Sequence, residues 1–344
     1  KVQLTLHDTM IAARNTGAIV NHDANGCLGV LFASNIVIRA GLAGAGDGIF
    51  IRGRPAGSLI QKADISSAGG KGINGDIRCA TGTYGPGFSL RLRDTQVNGC
   101  ASDGVCLADA TYAHYNTASY IYLDRVKSTG NGGCGFYRRQ DDGNGQQTCH
   151  VLATNCVFAG NALDGVYLRG EDLYGATAGD GRGSLFNARL VNVTLADTGG
   201  CGVRLKSRHT GGANAAALHN AIVSGCATNG LFLDDNRAAG GPALTESYND
   251  FFGNGAANVV RMGTSGANYP ALNASDLAVD PWFTGAAPEP YRLLTGSPLL
   301  EAGANALAPA VDILLEPRPD GARVSMGAYE RRTVPPAGTV IVIR

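Results

Sequence analysis

A recurring unit, Gly followed by alternating apolar residues, constrains this chain of 344 residues more than any other feature. It reads Gly48-Ile-Phe-Ile, Gly104-Val-Cys-Leu, Gly135-Phe-Tyr, Gly165-Val-Tyr-Leu, Gly202-Val-Arg-Leu and Gly230-Leu-Phe-Leu. Weaker copies stand near Gly17-Ala-Ile-Val, Gly72-Ile-Asn and Gly255-Ala-Ala-Asn-Val. From Gly104 onward the copies follow at 31, 30, 37 and 28 residues. A second strand-like stretch precedes each turn, as in Leu152-Ala-Thr-Asn-Cys-Val-Phe-Ala-Gly-Asn and Leu190-Val-Asn-Val-Thr-Leu-Ala. Strands this short form no stable sheet alone. Stacked on their equivalents one coil away, each pairs on both edges. The spacing therefore predicts an all-β chain: a right-handed parallel β-helix, or solenoid, of about nine coils and roughly 45 Å in length. Period-two alternation turns Val166, Leu168, Val203 and Leu205 inward and Tyr167 outward. Asp47, Asp103, Asp164 and Asn229 precede the repeated Gly, where turn chemistry explains them better than catalysis does. No stretch has helical periodicity.

Composition agrees with a turn-rich β chain. Gly accounts for 50 residues, and charged residues for 16%. The 28 basic residues balance 28 acidic ones, which leaves no whole-chain basic excess for nucleic acid. No apolar run is long enough to span a membrane. No phosphate-cradling Gly loop opens a helix, and no Gly-x-Ser-x-Gly elbow occurs. No cofactor and no metal site is expected; Asp141-Asp-Gly-Asn-Gly145 reads as a loop without a ligand. The nine cysteines, Cys27, Cys79, Cys100, Cys106, Cys134, Cys149, Cys156, Cys201 and Cys226, form no Cys-x-x-Cys pair. In a Gly-rich, extracellular-type chain that scatter predicts at least one disulfide, the alternative being thiols buried between coils. A start at Lys1 without Met fits a mature, processed protein, secreted or held at the cell surface.

After about residue 260 the repeat gives way to Asp280-Pro-Trp-Phe, Tyr291-Arg-Leu-Leu-Thr-Gly-Ser-Pro-Leu-Leu-Glu-Ala-Gly303, Asp312, Pro317-Arg-Pro-Asp-Gly321 and Gly327-Ala-Tyr-Glu330. With Tyr248-Asn-Asp-Phe-Phe-Gly-Asn-Gly255 before it, this succession resembles the C-terminal end of secreted bacterial right-handed parallel β-helix repeat proteins of the pectate-lyase-like superfamily, often surface-anchored. Ser325 stands where that pattern usually has an acidic residue. The resemblance implies a β-helix with a distinct end region and transfers no catalytic residue. Three parts are expected: coils over 1–262, an irregular C-terminal cap over 263–333, and a linker with a terminal strand over 334–344. Proteins of this kind usually open with a capping helix, whereas here the chain starts in strand-like Val2-Gln-Leu-Thr-Leu6. That edge is a template for pairing. Thr339-Val-Ile-Val-Ile343 follows Pro335-Pro-Ala-Gly338 and has the strongest β-propensity in the chain.

Two functions follow as expectations. In the first, the protein is extracellular and structural. Copies assemble head to tail into a filament or surface layer, with Val340, Ile341, Val342 and Ile343 of one meeting Val2, Leu4 and Leu6 of the next. In the second, an outward column binds an acidic polysaccharide. One row of it reads Phe50, Cys106, Tyr137, Tyr167, Arg204, Phe232, and the next reads Arg52, Ala108, Arg139, Arg169, Lys206, Asp234. Tyr137, Arg139, Tyr167, Arg169, Arg204 and Lys206 are the glycan-binding candidates, with rings to stack on sugars and cations to meet carboxylates. Long connections over 139–149, 169–185 and 206–216 would wall the groove. Were the protein a lyase, Arg169, Lys206, Arg208 and His209 would supply cation and base and Tyr137 or Tyr167 the acid. A glycosidase would need paired carboxylates, and Asp141-Asp142 and Asp234-Asp235 read as solvated acids of polar loops.

Overall fold

A computed structural model describes residues 2–12, 16–21, 29–39, 46–53, 56–77, 89–109, 118–142, 146–172, 183–207, 214–235 and 241–331. The expected architecture is present: a parallel β-solenoid, all-β among the described residues apart from one 3-10 turn at Asn305–Leu307. The first sheet stacks nine rungs in chain order: Val2–Ala12, Gly29–Arg39, Ala56–Ser66, Ser89–Asn98, Ala118–Thr129, Gln146–Thr154, Gly183–Val191, Ala215–His219 and Ala243–Ser247. The second sheet stacks Ala18–Asn21, Ile49–Arg52, Ile73–Ile77, Val105–Asp109, Phe136–Asp142, Val166–Asp172, Val203–Ser207, Asn229–Asp235 and Ala257–Gly263, and Gly266–Asn268 closes its far end antiparallel. We number rungs from 1 to 9 along each sheet.

One backbone device bends every coil at the same place. Asp8, Asn35, Lys62, Asp94, Arg125, Asn155, Asn192, Asn220 and Tyr248 stand in register and all have positive φ, between 47° and 56°. Six of the nine are Asn or Asp, the residues that tolerate the left-handed region best after Gly. Beyond this bend the chain pairs again in a third ladder. In rungs 1–5 it continues the first-sheet strand. In rungs 6–9 it is the separate strands Val157–Ala159, Thr194–Ala196, Ile222–Ser224 and Asp250–Phe252.

The inward rows form one continuous core, with Ile38, Ile49, Leu107, Phe136, Leu168 and Leu205 wholly buried. The repeated Gly has a steric reason. A Cβ on Gly135 would lie 2.7 Å from the Gly165 carbonyl oxygen, and one on Gly165 would lie 2.7 Å from that of Gly202. The acids before the Gly serve the turn, as expected. Asp103 Oδ1 accepts the Cys134 N–H at 2.8 Å, and Asp164 Oδ1 accepts the Cys201 N–H at 2.6 Å.

The disulfide expectation is not met among the described residues. Cys100, Cys106, Cys134, Cys149, Cys156, Cys201 and Cys226 are all buried free thiols, while Cys27 and Cys79 lie outside the described residues. Register accounts for one pair. Cys134 and Cys201 share a column, but the Asp164 rung stands between them. Two rungs separate Cα atoms by about 9.6 Å, beyond disulfide reach. Burial pushes the thiols of Cys100, Cys106 and Cys226 up to about 11.

Residues 264–331 form an arm. Instead of only closing the end of the solenoid, it runs back along the outside of the third ladder. Asn155 donates to the Val311 carbonyl at 2.8 Å, Asn192 to Ser325 and Gly327 at 3.1 Å each, and Asn220 to Ala304 at 3.0 Å. Val157, Ala159 and Ala196 pack against Ile313, Ala328 and Tyr329, and Ile222 packs against Leu299 and Met326. The motif behind the family resemblance locks this arm. Arg318 and Glu330 pair at 3.1 Å with wholly buried side chains. Ser325 Oγ donates to Glu330 at 2.6 Å, and Asp312 accepts the Glu330 N–H at 2.8 Å. Leu4 and Leu6, assigned from sequence to an assembly edge, are half-buried and pack on the core, which turns them inward. Val2 pairs through its backbone with Gly29. Val340, Ile341, Val342 and Ile343 lie outside the described residues.

Candidate functional site

The outer face of the second sheet carries both columns read from the sequence, in register. The first runs Phe50, Asn74, Cys106, Tyr137, Tyr167, Arg204, Phe232, Val260, and the second Arg52, Asp76, Ala108, Arg139, Arg169, Lys206, Asp234, Met262. Asn74 and Asp76, absent from the sequence reading, fill rung 3. The Tyr137 and Tyr167 rings follow one another with centroids 5.2 Å apart and planes tilted by 34°. Arg204 continues the row, its guanidinium 5.5 Å from the Tyr167 ring and 5.6 Å from Phe232. Its charge is already engaged: Nε lies 3.0 Å from Asp164 Oδ2. Arg204 thus sits within the aromatic row with its charge paired to Asp164.

Arg139, Arg169 and Lys206 occupy consecutive rungs of the next row, bounded by Asp76 on one side, beyond Ala108, and by Asp234 on the other. Arg169 hydrogen-bonds the Tyr137 hydroxyl. Burial pushes the phenols of Tyr137 and Tyr167 up against the opposing pull of Arg169, so both carry their protons at neutral pH and can donate. His209, Arg208 and parts of the three long connections lie outside the described residues.

Two readings of acids need correction. Asp141-Asp142 and Asp234-Asp235 were expected in loops, but they end the strands Phe136–Asp142 and Asn229–Asp235, because the neighbouring rungs run equally far and keep the ladder going. Asp235 is wholly buried by the same alternation that buries Leu231 and Leu233, and Oδ2 accepts from Asn214 at 2.7 Å. Three rungs earlier Arg138, also wholly buried, donates to the carbonyls of Arg139 at 2.7 Å and Leu107 at 3.2 Å.

A second site had no sequence signal in any single segment. A cleft of about 300 Å³ lies where the arm meets the third ladder, between Gln96, Asn98, Lys127 and Thr129 and the arm residues Glu289, Tyr291 and Tyr329. Its walls come from segments some 160 residues apart, so only the docked arm assembles it. The first sheet has an aromatic patch of its own: Tyr120 stacks on His150 at 4.9 Å, and Arg91 lies 5.0 Å from the Tyr122 ring.

Comparison with protein-family models, with curated proteins and with solved structures gives no match for this chain. Among the described residues no group of three or more His, Cys, Asp or Glu side chains is placed to hold a metal ion, and no helix is long and apolar enough to cross a membrane.

Proposed function

We propose that the chain is a binding module for an extended acidic polysaccharide, which lies across the rungs of the second sheet. The observation that supports this reading is the pairing of two rows in register: the aromatic row of Tyr137, Tyr167, Arg204 and Phe232 beside the cations Arg139, Arg169 and Lys206. The aromatic row offers faces for sugar rings, and the cations repeat about every 4.8 Å along the axis to meet carboxylates. Because the row is half exposed, such binding is weakened by salt. The test is affinity electrophoresis in polygalacturonate, alginate and glycosaminoglycans, with dextran as the neutral control. Retardation by an acidic polymer at low salt is expected, and its loss in the triple variant Arg139→Ala, Arg169→Ala, Lys206→Ala. No retardation by any acidic polymer sinks the reading. Ultraviolet absorbance from unsaturated uronate products during the same incubation would turn the module into a lyase acting through Tyr137 or Tyr167.

End-to-end assembly is the second reading. It is motivated by the strand Val2–Ala12, which among the described residues pairs on one edge only, with Gly29–Arg39. Deleting residues 334–344 should abolish concentration-dependent association measured by sedimentation; association that survives the deletion removes this reading.

A further inference from the structure

The cleft between arm and ladder is built like a receptor for a small, uncharged, hydroxyl-rich molecule. Tyr329, Tyr291, Pro288 and Pro290 line it from the arm. Tyr291 is held edge-on to Phe283 at 5.5 Å, and the loop carrying Glu289 is closed by the Gly285 N–H donating to the Pro290 carbonyl at 2.9 Å. Opposite stand the polar side chains of rungs 4 and 5. Thr129 Oγ1 donates to Asn98 Oδ1 at 2.8 Å, which leaves the Asn98 NH₂ as the donor end of this lining amide, and Gln96 is an exposed lining residue.

The charges inside are already matched. Lys127 Nζ contacts one Glu289 oxygen, and the Tyr329 hydroxyl donates to the other. Burial and the neighbouring Glu289 carboxylate push the Tyr329 phenol well up, so it stays a donor. An anion would therefore meet Glu289, and a cation Lys127, with no unpaired partner waiting for either. A volume of about 300 Å³ sits at the small end of ligand sites and suits a single ring. A ring with one C–H face for the tyrosines and prolines and a rim of hydroxyls for the amides fits these walls.

We infer that this cleft binds one neutral sugar residue, a free monosaccharide or the end or branch of a glycan, at a place separate from the second-sheet face. The probes are the methyl glycosides of glucose, galactose, mannose and N-acetylglucosamine, together with free glucuronate and galacturonate, titrated into the full chain by calorimetry and by saturation-transfer NMR. At least one neutral glycoside should saturate in the millimolar range, roughly 4 kcal/mol of binding. Gln96→Trp, which adds bulk at an exposed lining position, should weaken it at least about tenfold with an unchanged melting temperature. Asn98→Leu, which removes the amide, should do the same. The triple cation variant of the second sheet should leave this binding unchanged, which separates the two sites. Absence of saturation by every neutral glycoside at tens of millimolar, preference for the uronates, or binding that survives Gln96→Trp would each overturn the inference.

Discussion

The third ladder has two halves that share a backbone and differ in what covers them. In rungs 3–5 its outward pairs are Asp64 and Ser66, Gln96 and Asn98, Lys127 and Thr129. In rungs 6–8 they become Val157 and Ala159, Thr194 and Ala196, Ile222 and Ser224. The inward residue between each pair stays apolar or small throughout: Ile65, Val97, Ser128, Phe158, Leu195, Val223. Rung 3 pairs its charge on the solenoid's own surface, Asp64 with Arg39 at 2.8 Å, whereas Lys127 of rung 5 already pairs with Glu289 of the arm. The late half is buried on both sides, because the arm lies on it. Coil geometry therefore fixes the inner row, and the outer row records whether a second layer is present. The cleft lies at the seam, with polar side chains from the bare half and aromatic ones from the cover.

The largest expected break in that contrast is Arg318→Met. It leaves Glu330 buried without its cation and should cost about 3–5 kcal/mol. The arm should then become sensitive to limited proteolysis while the bare rungs keep their slow amide exchange; equal loss in both halves would count against a separable cover. Next comes Ile222→Ala in the covered half, expected at about 2–4 kcal/mol by chemical denaturation because the cavity opens between two layers. A value under about 1 kcal/mol would mean that the arm packs loosely there. Gly327→Ala should fall close behind. Its φ is +81°, and a Cβ would meet Ile222 Cδ1 at 2.6 Å and Thr194 Oγ1 at 2.8 Å. Gly99→Ala, on a bare rung at φ +61° with nothing within 4 Å, should cost only the backbone strain of about 1–2 kcal/mol.

A smaller, pH-dependent effect should appear where the arm leaves the last coil. Burial, with Asp280 and Asp276 nearby, pushes the Asp250 carboxyl from 3.8 up to about 7, and Val279 N–H bonding to Oδ1 opposes this. Burial and Asp276 take Glu246 from 4.5 to about 7 against the pull of Arg261. Between these limits the folded chain holds protons that the unfolded chain has released. Stability should therefore fall as pH rises from about 4 to 7 and level off above. In Asp250→Asn the fall in melting temperature between pH 5 and pH 8 should shrink; superimposable profiles for variant and parent would remove Asp250 from this role. Smallest of all, Gln96→Ala on the bare half should stay within about 0.5 kcal/mol of the parent in stability.

Much of this was legible in the chain. The Gly spacing gives the stacked strands, and alternation placed Val166, Leu168, Val203, Leu205 and Tyr167 on their observed sides. The same alternation would have put Arg138 and Asp235 inside. The sequence reading instead gives Asp235 as a solvated loop acid and does not single out Arg138; carbonyls and Asn214 receive them inside. The arm's path was not legible, because a third-ladder outer row of Val, Ala, Thr and Ile reads as core whichever layer covers it. The cleft depends on Lys127 meeting Glu289, a pairing across separate segments that no local pattern encodes. Sequence favoured a disulfide over buried thiols because cysteine number is visible in a sequence and cysteine register is not.

The bend column has a consequence for how such a chain can change length. Asn155, Asn192 and Asn220 each hold a different point of the arm, at Val311, at Ser325 and Gly327, and at Ala304. The arm thus acts as a gauge cut for three particular storeys. Inserting or deleting a whole storey among those three would put every later hook out of step. The same edit before Ala118 would leave the gauge untouched, so growth or shortening of the tower is tolerated at one end only.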